Sequence, residues 1–291
     1  MSGRYDIVII GSGPAGLSAA INAKIRNQKF IIFGNKRLSQ KLEKAHQIDN
    51  YLGLPAISGK AMQSAFMEHM ERMDIEITEQ KVTNVYQMGD YFVVMANNEM
   101  YETETVILAT GIQAGKLLEG EEAYLGRGVS YCATCDGALY RDKIVTVIAY
   151  DKREEEEADF LAGLAAKVYY VPMYKETVDV AENIEIVRDR PVAVVGENLV
   201  KKLVLKDQEL ETDGVFILRA NISPSTLLPG IELEEQHIKV DRMMKTSIPG
   251  CFAAGDIIGR PYQYIKAAGE GNIAALSAAS YADSKKKKDK A

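Results

Sequence analysis

Cysteine and histidine are both scarce in this chain, with three residues of each among 291. So few cysteines exclude the disulfide-dense framework of small secreted domains. A structural zinc site needs about four ligands, and His46, His69 and His237 do not stand at metal-ligand spacing. We therefore expect no metal site, and half of a zinc site is only the alternative interpretation of the one close cysteine pair.

Long apolar runs are absent as well. The N-terminus passes directly into a short apolar strand without a signal-peptide pattern, and no apolar run is long enough to cross a bilayer. The sequence therefore predicts a cytoplasmic protein that makes no membrane contact. Its composition, 47% hydrophobic and 26% charged, is ordinary for a globular protein, and 291 residues suffice for two domains.

The chain has no excess of positive charge, since its formal net charge is -6. Residues 285–290 are five lysines and one aspartate, so the rest of the chain carries a net charge of -10. Nucleic acid is therefore not expected as a partner, because phosphate binding needs a basic surface. We interpret the lysine run as a frayed, solvated terminus. The alternative is that it docks onto an acidic partner.

The chain does contain two closely spaced thiols, Cys132 and Cys135, followed by Asp136. At the start of a helix this spacing can close a disulfide with little strain, and the helix N-terminus stabilises the thiolate that attacks other disulfides. In a reducing cytosol such a pair indicates redox cycling more than a permanent cross-link. Cys251, in an apolar strand, is interpreted as a buried small hydrophobe.

The N-terminal segment has the pattern of a dinucleotide-binding turn. An apolar strand at residues 5–10 leads into Gly11-Ser12-Gly13-Pro14-Ala15-Gly16, and apolar residues at helical spacing follow. The first glycine allows a tight turn, the second lets the backbone approach a pyrophosphate, and the third lets helix and strand pack closely. The phosphates would then lie at the helix N-terminus.

Two later segments support this interpretation. Residues 106–111 and 251–256 each read as a strand ending in small residues, like the later contact points of FAD-binding domains in disulfide-reductase flavoproteins. One expected feature is missing, because the apolar residues 30–33 are not followed by the acidic residue that usually holds the ribose hydroxyls. Backbone groups around Gly34 and Asn35 are expected to replace it.

A second strand–turn–helix segment of the same kind follows the cysteine pair, but its turn lacks the glycines of a dinucleotide-binding turn. The predicted strand 144–148 and the predicted helix 154–167 are joined by Ala149-Tyr150-Asp151-Lys152-Arg153. The side chains of Tyr150 and Asp151 would fill the space of a pyrophosphate. Asp151 and the four glutamates 154–157 would repel its charge, although the glutamates suit a helix N-terminus.

The strand predicted at residues 168–171 also ends without the expected basic residues. Pro172-Met173-Tyr174 stands where an NADPH site would hold the 2′-phosphate. Two separate requirements for nicotinamide binding therefore fail. The alternative is an unfamiliar NADPH site built from Lys152, Arg153 and Lys175.

Taken together, these motifs resemble the low-molecular-weight thioredoxin reductases along nearly the whole chain. The matching segments are residues 11–16, 109–111, 126–130, 132–137, 246–250 and 253–256. The NADPH loop and the His-Arg-Arg of that family are replaced by residues 149–153 and 172–174. In these departures the chain resembles the ferredoxin-dependent flavin thioredoxin reductase branch.

The resemblance implies an α/β fold with two Rossmann-like, three-layer ββα domains of the disulfide-reductase flavoprotein type. An FAD-binding domain is expected at residues 1–113 and 243–291, and the cysteine domain, residues 114–242, is inserted into it. Members of the family are homodimers, and the same state is expected here.

The resemblance also assigns FAD contacts by position. These predicted contacts are Gly11, Ser12, Gly13, Pro14, Ala15, Gly16, Gly34, Asn35, Gln40, Asn50, Val82, Ala109, Thr110, Gly111, Gly255, Asp256, Gln263 and Tyr264.

The implied activity is electron transfer from reduced ferredoxin through FAD and the Cys132–Cys135 disulfide to thioredoxin. By family position Cys135 faces the flavin and Cys132 exchanges with thioredoxin, while Asp136 is the acid for a departing thiolate. Two alternatives are an NADPH-dependent thioredoxin reductase with an atypical nucleotide site and a non-catalytic flavin redox sensor.

Overall fold

The structure is a computed structural model that describes residues 3–36, 38, 42, 45–97, 99–111, 117–219 and 223–288, without the side chains of Cys135 and Lys288. The chain forms two compact units, one made of Met1–Ile112 with Ser223–Ala291 and the other of Gln113–Ile222. Within the described residues, no helix is both long enough and apolar enough to span a bilayer.

The described strands and helices are numbered in chain order. The strands are β1 Tyr5–Ile10, β2 Phe30–Phe33, β3 Ile77–Thr78, β4 Val82–Met88, β5 Tyr91–Ala96, β6 Glu99–Leu108, β7 Val129–Ser130, β8 Ile144–Ala149, β9 Lys167–Pro172, β10 Ile184–Ile186, β11 Pro191–Gly196, β12 Val200–Leu205, β13 Glu209–Glu211, β14 Gly214–Leu218, β15 Leu233–Glu234, β16 His237–Ile238 and β17 Cys251–Ala253. The helices are α1 Pro14–Ile25, α2 Gly59–Arg72, α3 Ala133–Asp136, α4 Glu155–Ala162, α5 Pro224–Leu227 and α6 Tyr264–Lys288, with 3₁₀ turns at Gly137–Tyr140, Lys152–Glu154 and Asp256–Ile258.

The main sheet of the first unit is parallel at its centre, in the order β3-β2-β1-β6. The first half of β6 pairs with the antiparallel strand β5, and its last residues pair in parallel with β17. β1 is almost entirely buried, which explains its continuous apolar sequence. Buried alanines of α1 and α6 let these two helices pack closely against each other and on the sheet.

Residues 223–242 belong to the first unit, so the chain returns to it at residue 223, whereas the sequence-based division placed the return at residue 243. The difference has a packing cause. Helix α5 packs against β4, and β16 packs against the 3₁₀ turn Asp256–Ile258. Neither contact follows from local sequence pattern.

Helix α6 continues through most of the lysine run and ends at Lys288. Lys285 forms ion pairs with Glu104 and, at 3.3 Å, with Asp90, and Lys286 lies 2.7 Å from a carboxylate oxygen of Asp6. The expectation of a frayed terminus is therefore wrong for these two lysines, because the fold brings carboxylates beside them, although Lys286 is exposed to solvent.

The second unit contains a parallel sheet in the order β10-β9-β8-β14-β7 and a three-stranded antiparallel sheet in the order β11-β12-β13. Apolar residues of both sheets form its core. The predicted strand 144–148 extends to Ala149, whereas the predicted helix 154–167 is shorter and ends at Ala162. Gly163 follows that helix, and glycine is a weak helix former. These sheets and their helices establish the predicted α/β fold class.

Candidate dinucleotide edge and redox-active loop

Four loops of the first unit meet where its parallel strands end. They follow β1, β2, β6 and β17, and the carboxyl ends of parallel strands lie on one edge of a sheet. The backbone N–H of Ala109 donates to the carbonyl of Ile10 at 2.8 Å, and that of Ala254 donates to the carbonyl of Leu108 at 3.0 Å. Predicted contacts that are distant in sequence therefore share this edge: residues 11–16, 34–35, 109–111 and 255–256.

Three glycines of the first turn have different spatial constraints. Gly11 has a φ of +117°, and a Cβ there would lie 2.2 Å from the carbonyl oxygen of Ala109. A Cβ on Gly16 would lie 1.8 Å from the carbonyl oxygen of Gly11, so α1 could not approach β1 so closely. A Cβ on Gly13 would meet no atom within 4 Å. This open space suits the approach of a pyrophosphate.

The start of α1 and the nearby Thr110 also fit an anionic dinucleotide. α1 begins with Pro14, has no side-chain cap and has no acidic residue in its first turn, so its N-terminal dipole is available to an anion. The hydroxyl of Thr110 is buried and has no hydrogen-bond partner among the described residues. The phosphates of FAD would satisfy both features.

The backbone N–H groups that were expected to replace the missing ribose acid already have hydrogen-bond acceptors within the protein. The N–H of Asn35 donates to the Ser12 hydroxyl at 2.9 Å, and that hydroxyl donates to the Asn35 carbonyl at 2.9 Å. The N–H of Gly34 donates to the carbonyl of Thr78 at 3.1 Å. Both N–H groups are therefore engaged within the protein, and a ribose contact at Gly34 and Asn35 stays a prediction.

A lysine and a glutamate that the sequence analysis missed hold the loop after β17. The N–H of Gly255 donates to the Glu270 carboxylate at 3.0 Å, and the Lys266 ammonium donates to the carbonyls of Gly255 and Gly259 at 3.3 and 2.7 Å. Burial raises the pKa of Glu270, and the charge of Lys266 opposes that shift. Their i,i+4 spacing at the start of α6 was the available sequence signal.

A cleft of about 370 Å³ in the first unit brings three predicted flavin contacts together. It is lined by Ala45, Gln47, Ile48, Asp49, Asn50, Tyr262, Gln263 and Tyr264. The sequence analysis missed Tyr262, whose hydroxyl lies 2.7 Å from Nε2 of His237. The histidine comes from β16, so only the tertiary fold makes it a partner of the cleft.

Two predicted contacts lie outside these groups. Gln40 lies outside the described residues. Val82 is the buried first residue of β4, four positions after β3 ends beside Gly34. A contact of either residue with FAD stays a prediction.

The redox-active loop, residues 131–136, lies in the second unit. It comprises the two residues after β7 together with the short helix α3. Cys132 is buried and disulfide-bonded, and the side chain of Cys135 lies outside the described part of the structure. Asp136 accepts a hydrogen bond from the Ser130 hydroxyl at 2.6 Å, and Ser130 Oγ accepts one from the N–H of Cys132 at 3.1 Å. Asp136 is thus linked to the loop through Ser130.

Cys251 differs from Cys132 in oxidation state and surroundings. It is a free thiol in β17, and burial raises its pKa to about 12. A thiol that stays protonated is a poor nucleophile. This agrees with its interpretation as a small hydrophobe.

The chain matches the family model described as Pyridine nucleotide-disulphide oxidoreductase over residues 5–148 and 172–271. The protein belongs to this family. It is a flavoprotein disulphide oxidoreductase with FAD as cofactor, consistent with the dinucleotide edge of the first unit.

Relatives of this disulphide oxidoreductase are thioredoxin reductases. A crystal structure of a Ferredoxin-Flavin Thioredoxin Reductase from Clostridium acetobutylicum is 54% identical, with a TM-score of 0.95 over 98% of this chain and 99% of that chain. The Thioredoxin reductase of Aquifex aeolicus is 35% identical over 97% of this chain and 95% of its own length. A thioredoxin reductase from Gloeobacter violaceus is 29% identical, with a TM-score of 0.83, over 97% of this chain and 95% of that chain.

The internal segment of this disulphide oxidoreductase that the family model does not match, residues 149–171, begins at the last residue of β8. From β8 the chain proceeds to β9 on one side, while β14 lies on the other, which makes the carboxyl end of β8 a topological switch point. Dinucleotides bind in the crevice at such a point. Here Tyr150 follows β8 and Arg219 follows β14.

Side chains of the protein itself meet at that crevice. Arg219 is 3% exposed and pairs through both terminal nitrogens with Glu121, which is fully buried. The ring of Tyr150 lies 4.8 Å from the guanidinium carbon of Arg219. Glu121 and Arg219 are 98 positions apart, and no spacing in the sequence signalled the pair.

Two of the three cations of the alternative NADPH site, Lys152 and Arg153, are also engaged locally. Lys152 donates to the carbonyl of Thr177 at 2.6 Å, and Arg153 lies 2.9 Å from the Asp151 carboxylate. An NADPH site built from these cations would first have to break both interactions.

Proposed function

We propose that this disulphide oxidoreductase is a ferredoxin-dependent thioredoxin reductase. The observation that carries the choice of donor is the contact of Tyr150 with the buried pair Arg219–Glu121 at the end of β8 and β14. We infer that these side chains fill the crevice where a nicotinamide dinucleotide would bind. The similarity to a protein described as a Ferredoxin-Flavin Thioredoxin Reductase supports both partners. Neither the NADPH-dependent nor the sensor alternative has a comparable observation in its favour.

The proposed turnover is balanced in electrons and protons. Two reduced ferredoxins give one electron each, and these two electrons with two protons convert the Cys132–Cys135 disulfide to two thiols. The Cys132 thiolate then attacks the thioredoxin disulfide, and Cys135 displaces reduced thioredoxin and restores the internal disulfide. FAD bound at the dinucleotide edge would supply the exchange between one-electron and two-electron chemistry.

The residues around the loop would control the protons of this exchange. Asp136, held by Ser130 at 2.6 Å, is proposed to supply the proton to the departing thiolate. Of the 18 predicted cofactor contacts, those of residues 11–16 are proposed to hold the pyrophosphate, Gly34 and Asn35 the ribose, and Asn50, Gln263 and Tyr264 the flavin ring.

The donor is tested by anaerobic stopped-flow measurement of flavin bleaching. Reduced ferredoxin should bleach the flavin and then reduce added thioredoxin, whereas micromolar NADPH should do neither. Rapid bleaching by NADPH would falsify the ferredoxin assignment. A bleached flavin that never passes electrons to thioredoxin would instead support the redox-sensor alternative.

The thiol assignment predicts that C132S loses thioredoxin reduction but retains flavin bleaching by reduced ferredoxin. The matched control is C251S, because Cys251 is buried and burial raises its pKa to about 12. Thiol release from thioredoxin and flavin absorbance are followed in the same samples. Continued turnover by C132S would show that the thiols are assigned in the wrong order.

We also propose a cytoplasmic homodimer. A reducing compartment suits a disulfide that must cycle, and thioredoxin reductases supply the expectation of a dimer. Cell fractionation tests the location. Light scattering tests the dimer, which should have twice the 32.1 kDa mass of one chain.

A further inference from the structure

The loop that carries Cys132 is braced by a glutamate from another element. The N–H of Ala133 donates to Oε2 of Glu157 at 2.8 Å. Ala133 is fully buried and directly follows Cys132 in the chain. Glu157 lies on α4, 24 positions away, so the contact joins the redox-active loop to the helix after the filled crevice.

The Ala133 amide needs such a partner. It is the first N–H of α3, and the first N–H groups of a helix have no acceptor within that helix. Asp136, the acid nearest in sequence, accepts from Ser130. A buried N–H without a partner is destabilising, because it loses its hydrogen bond to water on folding. Glu157 therefore satisfies a group that the short helix leaves unpaired.

The close packing of α4 on this region makes the contact specific. A Cβ on Gly137, just after α3, would lie 3.0 Å from Cδ2 of Leu161 and 3.1 Å from Cε1 of Phe160. Glycine at this position lets α4 approach the end of α3. The packing of α4 beside Gly137 thus brings Glu157 close to Ala133.

Neighbouring glutamates of the same run have different surroundings. Glu155 is buried and accepts from the hydroxyl of Tyr174 and, at 3.1 Å, from the N–H of Asp179. Glu156 is exposed, whereas Glu157 is half-buried. The sequence analysis treated the run as one barrier to phosphate, but the structure separates its members. Glu156 and Glu157 form a natural matched pair, equal in charge and adjacent in the chain.

We propose that Glu157 is a positioning residue for the redox-active disulfide, which it holds through the Ala133 amide and keeps strongly reducing through its negative charge. This inference rests on the proposed function, in which the Cys132–Cys135 pair cycles. A carboxylate beside the amide that follows Cys132 disfavours the Cys132 thiolate. A less stable thiolate makes the dithiol a stronger reductant and favours transfer to thioredoxin.

The variants E157Q, E157A and E156Q separate the charge from the hydrogen bond. E157Q keeps an oxygen that can accept from Ala133 but removes the charge, E157A removes both, and E156Q removes one exposed charge from the same helix. The holoenzymes are compared by the disulfide exchange equilibrium with glutathione, iodoacetamide alkylation of Cys132 at fixed neutral pH, and thioredoxin turnover.

E157Q should shift the glutathione equilibrium toward the dithiol by about tenfold, equivalent to about 30 mV for a two-electron couple. Its Cys132 should be alkylated roughly threefold to tenfold faster, because more of it is thiolate. E156Q should change both quantities by less than about twofold, because an exposed charge is screened by solvent. Turnover should fall most in E157A and be partly restored in E157Q, which keeps the acceptor.

Equal glutathione equilibria for E157Q and E156Q would overturn the proposal, as would equal turnover for E157A and wild type. Failure of the proposed function has a different signature. In that case the wild-type dithiol itself would not be oxidised by thioredoxin, whatever residue stands at position 157.

Discussion

At the scale of single residues, the buried ion pair Arg219–Glu121 lies at the crevice and also contacts a residue of the redox-active loop. Glu121 also accepts from the Tyr131 hydroxyl at 3.0 Å and from the Leu118 N–H at 2.9 Å. Burial, followed by the charge of Glu121, raises the pKa of Tyr131 above its ordinary range, so this hydroxyl remains a donor. Because Tyr131 precedes Cys132, the side chains that fill the crevice also anchor the redox-active loop.

Removing one partner of this pair should be strongly destabilising. R219A leaves the Glu121 carboxylate buried without its cation, and the free energy of unfolding should fall by about 3–5 kcal/mol. The double variant with methionine at both positions should lose less, because neither charge is then buried. Urea unfolding measures both variants.

The matched control for that experiment is K202A, which breaks the exposed pair Lys202–Glu209. It should cost less than about 1 kcal/mol. Equal losses for R219A and K202A would show that burial does not govern the strength of the Arg219–Glu121 pair.

At the scale of elements, the turn between β1 and α1 separates packing from cofactor binding. Gly16 is required where helix and strand approach each other, whereas Gly13 faces open space in the protein without ligand. Two glycines three positions apart in one motif therefore act on different equilibria. Gly16 acts on folding, and Gly13 is proposed to act on the FAD complex.

G16A and G13A should differ accordingly. G16A should destabilise the apoprotein by about 1–3 kcal/mol or more, because its Cβ overlaps a backbone carbonyl. G13A should change the stability of the apoprotein by less than about 0.5 kcal/mol but weaken FAD binding. Thermal unfolding without FAD and fluorescence titration with FAD make the comparison. Unchanged FAD affinity in G13A would show that the pyrophosphate of FAD does not approach the backbone at Gly13.

The stability that the C-terminal end of α6 contributes through its ion pairs depends on pH. Burial opposes ionisation of Glu104, but hydrogen bonds from Lys285 and Arg4 outweigh it and hold the pKa of this carboxyl below its ordinary value of 4.5. Stability from this group is fully present above pH 4.5 and is lost as the pH falls through the lower, folded-state value.

K285A should therefore lower stability by about 1 kcal/mol at neutral pH and lose less stability on acidification than wild type. Urea unfolding at neutral pH and below pH 4.5 measures both effects. K287A is the control, since residue 287 is exposed. An acid loss as steep in K285A as in wild type would rule out Lys285 as the cause of the shifted titration.

At the scale of the whole molecule, four apolar core clusters of the described residues each lie within one compact unit. The clusters around Ile7 and Leu42 belong to the first unit, and those around Val129 and Ala133 belong to the second. The predicted FAD contacts belong to the first unit, and the redox-active loop belongs to the second. The proposed FAD site therefore belongs to the unit with one set of core clusters, and the disulfide belongs to the unit with the other.

The apoprotein should accordingly unfold in two thermal transitions. FAD at one hundred times its dissociation constant should stabilise only the first unit, by about 2.7 kcal/mol, whereas R219A should lower only the other transition. Differential scanning calorimetry with and without FAD measures this separation. A single transition that FAD shifts as a whole would contradict independent unfolding of the two units.

Much of the fold and part of the site follow from local sequence patterns. The strand at Tyr5–Ile10, the glycine turn after it and the closely spaced cysteines were recognisable because each depends on neighbouring residues. The helix predicted to reach residue 167 ends at Ala162, since a single glycine can end a short helix. The hydrogen bonds between the Ser12 hydroxyl and the Asn35 backbone were not recognisable, because the two residues are 23 positions apart.

The sequence by itself determined the α/β class, the dinucleotide turn, the thiol pair and the absence of glycines from the second turn. The tertiary structure decided which distant groups meet: Arg219 with Glu121, Glu157 with the Ala133 amide, and Lys285 with Glu104. Local patterns record backbone propensity and apolar periodicity over a few residues. Pairs of charges far apart in sequence become neighbours only through the packing of whole sheets and helices, which no local spacing encodes.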